Sequence, residues 1–396
     1  MKNEEYFVGD DENVLPNEIS NKETEETASP PQEENSGVGE ACQNSDNATT
    51  PPPYFNYAPS RFYKPLPKGV TEETYDEYSD IRKCGKILGI SAIVIVAAVT
   101  AYSLIYGFIA GLFSAFGLDI LKYLDDPAVN TVTQIFFTLI MFTLPFMVAA
   151  WVNRFKISAL VPLSKSRKGT ALPYFLFGLG FCAFAQIAVS QAADIFDRLG
   201  FSYDLPKSQN PQGIFGFLIS VIATAVVPAF MEEFGCRGIM FGIAEKKGGT
   251  AFALVVSSAM FGLIHGNFIQ IPFAFLVGLI LGIIRIKTGS LWICILVHGV
   301  NNFVSVCMDY FFSGKNQEIG NVVYSVFLVF CMIFALLGVA LLSKKEKDEY
   351  VIEEDTQIIA SNTLPLSKKL VWFFKTPAII VSIVLFVGEA CLYFLV

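Results

Sequence analysis

The chain has 396 residues, 53% of them hydrophobic and only 16% charged, with 37 phenylalanines and a formal net charge of −8. A soluble protein of this size carries about a quarter of its residues as charged, so this composition excludes an ordinary water-soluble globule. The acids crowd at one end: residues 1–80 hold 18 Asp and Glu against 5 Lys and Arg, and the remainder holds 18 against 23, so neither part has the basic character of a nucleic-acid binder.

In chain order, residues 1–80 come first, with Pro-rich pieces such as "TASPPQEENSG" and "TTPPPYFNYAPS". Low hydrophobicity and acidic charge predict a disordered cytoplasmic tail, a solvated segment with the capacity to bind a protein partner. No apolar stretch near Met1 has the form of a signal peptide. Apolar spans then follow near 87–117, 132–153, 171–195, 213–242, 250–266, 268–284, 290–310, 321–343 and 374–396. A bilayer helix needs about 20 residues. The fold class expected is therefore all-α, a polytopic helical membrane bundle of about eight or nine spans behind a disordered tail. The body is divided into a membrane domain over 81–345, with the functional core at about 170–310. A cytoplasmic linker and an additional helix make up 346–396.

Every second loop is basic. Arg82, Lys83 and Lys86 precede the first span, and Arg154, Lys156, Lys165, Arg167 and Lys168 follow the second. Lys246 and Lys247, Arg285 and Lys287, and Lys344, Lys345 and Lys347 follow the fourth, sixth and eighth. The positive-inside rule then places the N-terminus in the cytoplasm and the C-terminus outside. Six of the eight cysteines lie within apolar runs and no CxxC occurs, so they read as small buried hydrophobes rather than a disulfide or zinc framework.

Within the fourth span, "VVPAFMEEFGCRGIMFGI" carries Glu232, Glu233 and Arg237. A charge in a span costs at least about 2.5–3.5 kcal/mol, so such groups pair or line a wet cavity. Glu233 and Arg237, four residues apart, share a helix face and are expected to form an ion pair. Glu232 is turned about 100° away and stays available for chemistry. The chain has only two histidines, His265 and His298, both in apolar spans. Phe261 lies four before His265, and Asn302 four after His298 with Asn301 beside it. These groups predict one shared polar site. A Glu general base, a His holding water, and a second His with an Asn amide as oxyanion donors are parts for amide hydrolysis. Two His and one Glu also make a catalytic zinc set, Glu232, His265 and His298, though no HExxH helix is present. Ser257, Ser258 and Cys236 lie nearby, but without GxSxG a nucleophilic site leaves Glu232 and Arg237 unexplained.

The three motifs, Glu232-Glu233-Phe-Gly-Cys-Arg237, Phe261-Gly-Leu-Ile-His265 and His298-Gly-Val-Asn301-Asn302, resemble the CAAX-protease and bacteriocin-processing family, also called Abi or CPBP. The resemblance covers about 213–310 and implies an intramembrane endopeptidase acting on membrane peptides or protein tails. It implies Glu232 as the activator of water with His265 assisting, His298 and Asn302 as oxyanion donors, and Glu233, Arg237 and Phe261 as shaping groups. Both a metalloprotease and a metal-free glutamate mechanism are ascribed to the family, so zinc stays open. Short loops are compatible with a bacterial plasma membrane. A non-catalytic scaffold or immunity protein is the alternative, and then a proton-coupled transporter enlisting Asp194, Asp197 and Glu389. Those three acids read more simply as half-solvated interfacial groups, and no internal repeat supports transport.

One tension accompanies this expectation. With the fourth span ending near 242, Glu232 lies about 15 Å from its end, and His298 about 12 Å by the same count. His265 lies about 22 Å from Thr250. Either the fifth helix is tilted, or it begins later.

Overall fold

A computed structural model describes residues 66–118, 120–124, 126–198, 211–312, 316–349 and 364–392. The acidic segment up to residue 65, and most of the linker expected after 345, lie outside these residues. Among the described residues there are helices and no strands. The tail was expected to reach residue 80, but the first helix already begins at Tyr75. The reason is local: Asp80 accepts a 2.9 Å ion pair from Lys247, and Glu77 accepts from the backbone N–H of Leu364 at 3.1 Å.

The helices are α1 (Tyr75–Ala115), the single turn α2 (Leu121–Leu124), α3 (Pro127–Phe137), α4 (Leu144–Val152), α5 (Ala171–Arg198), α6 (Gly213–Ser220), α7 (Val227–Glu232) and α8 (Phe241–Gly248). They continue with α9 (Thr250–Ile264), α10 (Gln270–Thr288), α11 (Trp292–Phe312), α12 (Gln317–Glu349), α13 (Leu366–Phe374) and α14 (Pro377–Leu392). A π-helical turn, Thr138–Phe142, precedes α4. Two more, Val221–Val226 and Glu233–Met240, join α6, α7 and α8 into one helix over Gly213–Gly248.

Among the described residues seven helices are long and apolar enough to cross a membrane, or eight if the bent pair α13–α14 counts as one span. Two of the nine expected spans therefore take another form. The fifth is α9, 15 residues and about 22 Å, shorter than a hydrocarbon core of about 30 Å. It packs against α10 as a hairpin closed by the His265–Ile269 turn. Both open ends carry bases, Lys246 and Lys247 before α9 and Arg285 and Lys287 at the end of α10. The last expected span is broken, with α13 and α14 meeting at 69°.

Large apolar side chains such as Leu104, Phe108, Phe215, Val329 and Leu336 are exposed around the bundle. That is the sheath a lipid-facing surface requires, since lipid is as apolar as leucine. The basic loops converge at one end. Arg285 donates from Nη1 to Glu245 at 3.3 Å and from Nη2 to the Leu160 carbonyl at 3.3 Å, with its guanidinium 3.9 Å over the Phe241 ring. Arg167 donates to the carbonyls of Ile286 and Lys287, where it caps the end of α10. Buried Lys369 donates to the Gly248 carbonyl at 3.0 Å and pairs with Glu77. Seven cysteines fall among the described residues, all of them free, with Cys391 exposed and Cys307 half-buried.

Small residues set the close contacts. A Cβ on Gly89 of α1 would lie 2.6 Å from the backbone carbon of Ala378 in α14, whereas Gly107 of α1 has open space around it. Gly89→Val is expected to lower stability by about 1–3 kcal/mol through overpacking, and Gly107→Val by much less. The midpoint of thermal unfolding in detergent, read by the reaction of buried thiols such as Cys84 with a fluorogenic maleimide, measures both.

Candidate active site

The site is built where the Gly213–Gly248 helix, the α9–α10 turn and α11 meet. Glu232 closes α7 and Glu233 opens the π-helical stretch. A π-turn widens the helix locally and is frequent at functional sites. Here it fits against the loop after α4: a Cβ on Gly238 would lie 2.9 Å from Val161 Cγ2.

Arg237 Nη1 donates to Glu233 Oε1 at 3.0 Å, with both side chains fully buried. The same oxygen accepts from His298 Nδ1 at 2.9 Å. A carboxylate only accepts, so Nδ1 carries the proton, and in the neutral ring Nε2 is bare. That nitrogen lies 3.9 Å from Glu232 Oε2. The gap is too long for a hydrogen bond and of a length that a single water bridges. Glu232 keeps 13% of its side chain exposed and has no arginine partner among the described residues. The ion pair expected from the four-residue spacing of Glu233 and Arg237 is present.

His265 terminates α9. Its Nδ1 lies 2.8 Å from the Phe261 carbonyl, which can only accept, so its Nε2 is likewise bare. The Phe261 ring is a hub: it stands edge-on to His265 at 4.8 Å and to His298 at 6.2 Å, and the Arg237 guanidinium lies 3.9 Å over its centroid. The depth mismatch between Glu232 and His265 disappears because the fourth helix runs on through α8 to Gly248, while His298, near the start of α11, reaches Glu232 through the packing of α11 on that helix. Glu232 then lies about 24 Å from that end and His265 about 22 Å from Thr250, so α9 needs no later start.

Asn302, one turn after His298, donates from Nδ2 to the Thr224 carbonyl at 3.1 Å and accepts from Asn301 at 3.3 Å. The carbonyl is one that the π-turn Val221–Val226 presents, and the second N–H of the amide stays available. Ser258 Oγ is committed to the Leu254 carbonyl at 2.7 Å, and Ser257 and Cys236 are fully buried, which fits packing rather than nucleophilic roles. Asp194 sits exposed in the last turns of α5. Glu389 is half-buried, in keeping with a half-solvated acid, and lies against the α9–α10 turn.

His265 and His298 stand at the Phe261 ring, and Glu232 lies 3.9 Å from His298. Yet among the described residues no three His, Cys, Asp or Glu side chains converge to hold a metal ion. Glu233 Oε2 and Arg237 Nε and Nη2 are buried without a partner.

Two contacts were beyond sequence reasoning. The Glu233–His298 bond joins residues 65 apart, and no local pattern signals it. Gly278 of α10, whose Cβ would lie 3.0 Å from Arg237 Nη2, offered only a glycine within an apolar run.

Removing one partner of a buried pair strands the other charge, a cost of about 3–5 kcal/mol. Arg237→Leu is therefore expected to lower the unfolding midpoint strongly, and Glu233→Gln combined with Arg237→Leu to lower it less than the sum of the singles. Thermal unfolding of the four proteins in one detergent measures this coupling.

Residues 214–304 match the family model described as Type II CAAX prenyl endopeptidase Rce1-like. The chain is also similar to a Bacillus subtilis (strain 168) protein named "Putative membrane peptidase YdiL", with 26% identity over 107 residues, covering 26% of this chain and 44% of that protein. It thus spans less than half the length of the curated relative it matches. No solved structure matches the chain. The family match runs from α6 into α11 and contains every residue of the three motifs.

Proposed function

We propose that this chain, whose residues 214–304 match the Type II CAAX prenyl endopeptidase Rce1-like model, is an intramembrane endopeptidase that hydrolyses peptide bonds of membrane-associated peptides or protein tails. One observation carries the reading: Glu232, free of Arg237, faces the bare Nε2 of a histidine that Glu233 holds in place. Glu232 takes a proton from a water held between its carboxylate and that nitrogen. The water oxygen bonds to the peptide carbonyl carbon, and the negative charge passes to the carbonyl oxygen. The free N–H of Asn302 faces this oxyanion, a role which the resemblance also extends to His298. The C–N bond then breaks and the proton on Glu232 passes to the leaving amine.

The pairing differs in one respect from what the resemblance implies. His298 is the histidine beside Glu232, and neutral His298 accepts at Nε2, so it donates to an oxyanion only once protonated. His265, with Nδ1 committed to Phe261, offers Nε2 as a further acceptor for the water. Glu233 and Arg237 keep His298 in register, a support whose loss costs activity without touching substrate.

The proposal places the protein in a bacterial plasma membrane, with the basic end and the N-terminus facing the cytoplasm. The relative's name supports both the peptidase reading and the membrane location. An acidic N-terminal segment of net charge −13 over residues 1–80 is left for a protein partner.

The test is cleavage of a fluorogenic membrane-peptide library by the purified full chain in detergent. Loss of the general base is expected to reduce kcat by roughly 10²- to 10⁴-fold in Glu232→Gln. Asn302→Ala is expected to lose about 10²- to 10³-fold. Activity in all arms alike, or in none with folded protein, counts against the proposal. A parallel series with a chelator, followed by zinc add-back, separates a metal-dependent form of the reaction from the metal-free one.

A further inference from the structure

The last helix lies outside the family-matched segment, yet it ends beside the site. Its path is fixed at both ends. Arg82 Nη1 donates to Thr376 Oγ1 at 3.3 Å and to the Trp372 carbonyl at 3.4 Å. A Cβ on Gly85 would lie 2.5 Å from Thr376 Oγ1, so α1 admits the α13–α14 corner only where it has no side chain. The 69° break then sends α14 along α1 and against α9.

At the far end of that path stands Glu389, 12 residues or about 18 Å beyond Pro377. Its carboxyl group packs onto the α9–α10 turn: a Cβ on Gly266 would lie 3.3 Å from both Cδ and Oε2 of Glu389. Gly266 has φ +60, directly follows His265, and precedes Asn267, whose Oδ1 accepts from the N–H groups of Ile269 and Gln270 to start α10. Glu389 has no ion-pair partner among the described residues. A carboxyl group at this depth is costly, and its placement in a span marks a functional group.

We propose that Glu389 is a positioning residue for His265: its carboxyl group, seated by α1, holds the turn that carries the imidazole. It touches neither substrate nor reacting atoms and acts through the Gly266 backbone. The site thus extends beyond 214–304 to include the C-terminal helix pair. The inference rests on the proposed hydrolase for its kinetic consequence and is independent of it for its structural one.

With only two histidines in the chain, ¹⁵N-histidine labelling gives two ring systems, assigned with His265→Ala and His298→Ala. In the full-length protein in detergent, Glu389→Gln is expected to shift the His265 ring signals and leave those of His298 in place. In the cleavage assay the same variant is expected to lose roughly 10- to 100-fold in kcat, the scale of a misplaced catalytic group, with KM little changed. Glu389→Asp is expected to rescue Gly266→Ala partly, because shortening the acid makes room for the added methyl. Unmoved His265 signals in folded Glu389→Gln would overturn the inference, as would KM rising with kcat intact. Shifted signals in a protein whose wild type cleaves nothing would leave this inference standing and remove the hydrolase reading.

Discussion

The site depends on one oxygen. Glu233 Oε1 accepts from Arg237 on its own helix and from His298 on α11, all three buried. In a bilayer neither a carboxylate nor a guanidinium can remain unpaired without a cost of several kcal/mol, so the bond ties the Gly213–Gly248 helix to α11 as firmly as any apolar contact. It also decides chemistry. By accepting a hydrogen bond from Nδ1–H, Glu233 turns the bare Nε2 of His298 toward Glu232, 3.9 Å away. The two adjacent carboxylates thus divide the work: one is consumed by structure so that the other faces the reacting volume.

The supporting framework follows from that requirement. Phe261 lies between Arg237 and both imidazoles, so α9 is drawn in by its ring as well as by His265. The short hairpin α9–α10 need not cross a full bilayer to do this. Its turn ends at the depth of Glu232 because α8 carries the preceding helix on to Gly248. At the opposite end, Lys247–Asp80, Arg285–Glu245 and Lys369–Glu77 link α1, α8, α10 and α13. Of these, Lys247 and Arg285 are bases that the alternation of loops set apart, and the fold gathers them at one end of the bundle.

Much of this was legible in the residues. Apolar runs located the spans, although α1 starts 12 residues before its run at 87, and the four-residue spacing of Glu233 and Arg237 matched their ion pair. Two histidines in a chain of 396, both within spans, marked the site. What was not legible has physical causes. Over the eight residues Glu233–Met240, apolar periodicity cannot tell a π-helix from an α-helix. The "AEKKGG" stretch reads as a loop by its charges, but Glu245 and Lys247 are paired across the bundle, so the helix continues through them. The second partner of Glu233 and the seat of Glu389 are tertiary facts, set by helices far apart in sequence.

The central claim is that Glu233 fixes the imidazole of His298, and the protonation pattern of that ring tests it most directly. Nitrogen-15 spectra of the ring in the detergent-solubilised protein report which nitrogen bears hydrogen. The account predicts a proton on Nδ1 and a bare Nε2 in the neutral ring, with that preference lost in Glu233→Leu. A proton resident on Nε2 in the wild type, or a tautomer indifferent to Glu233, would contradict it.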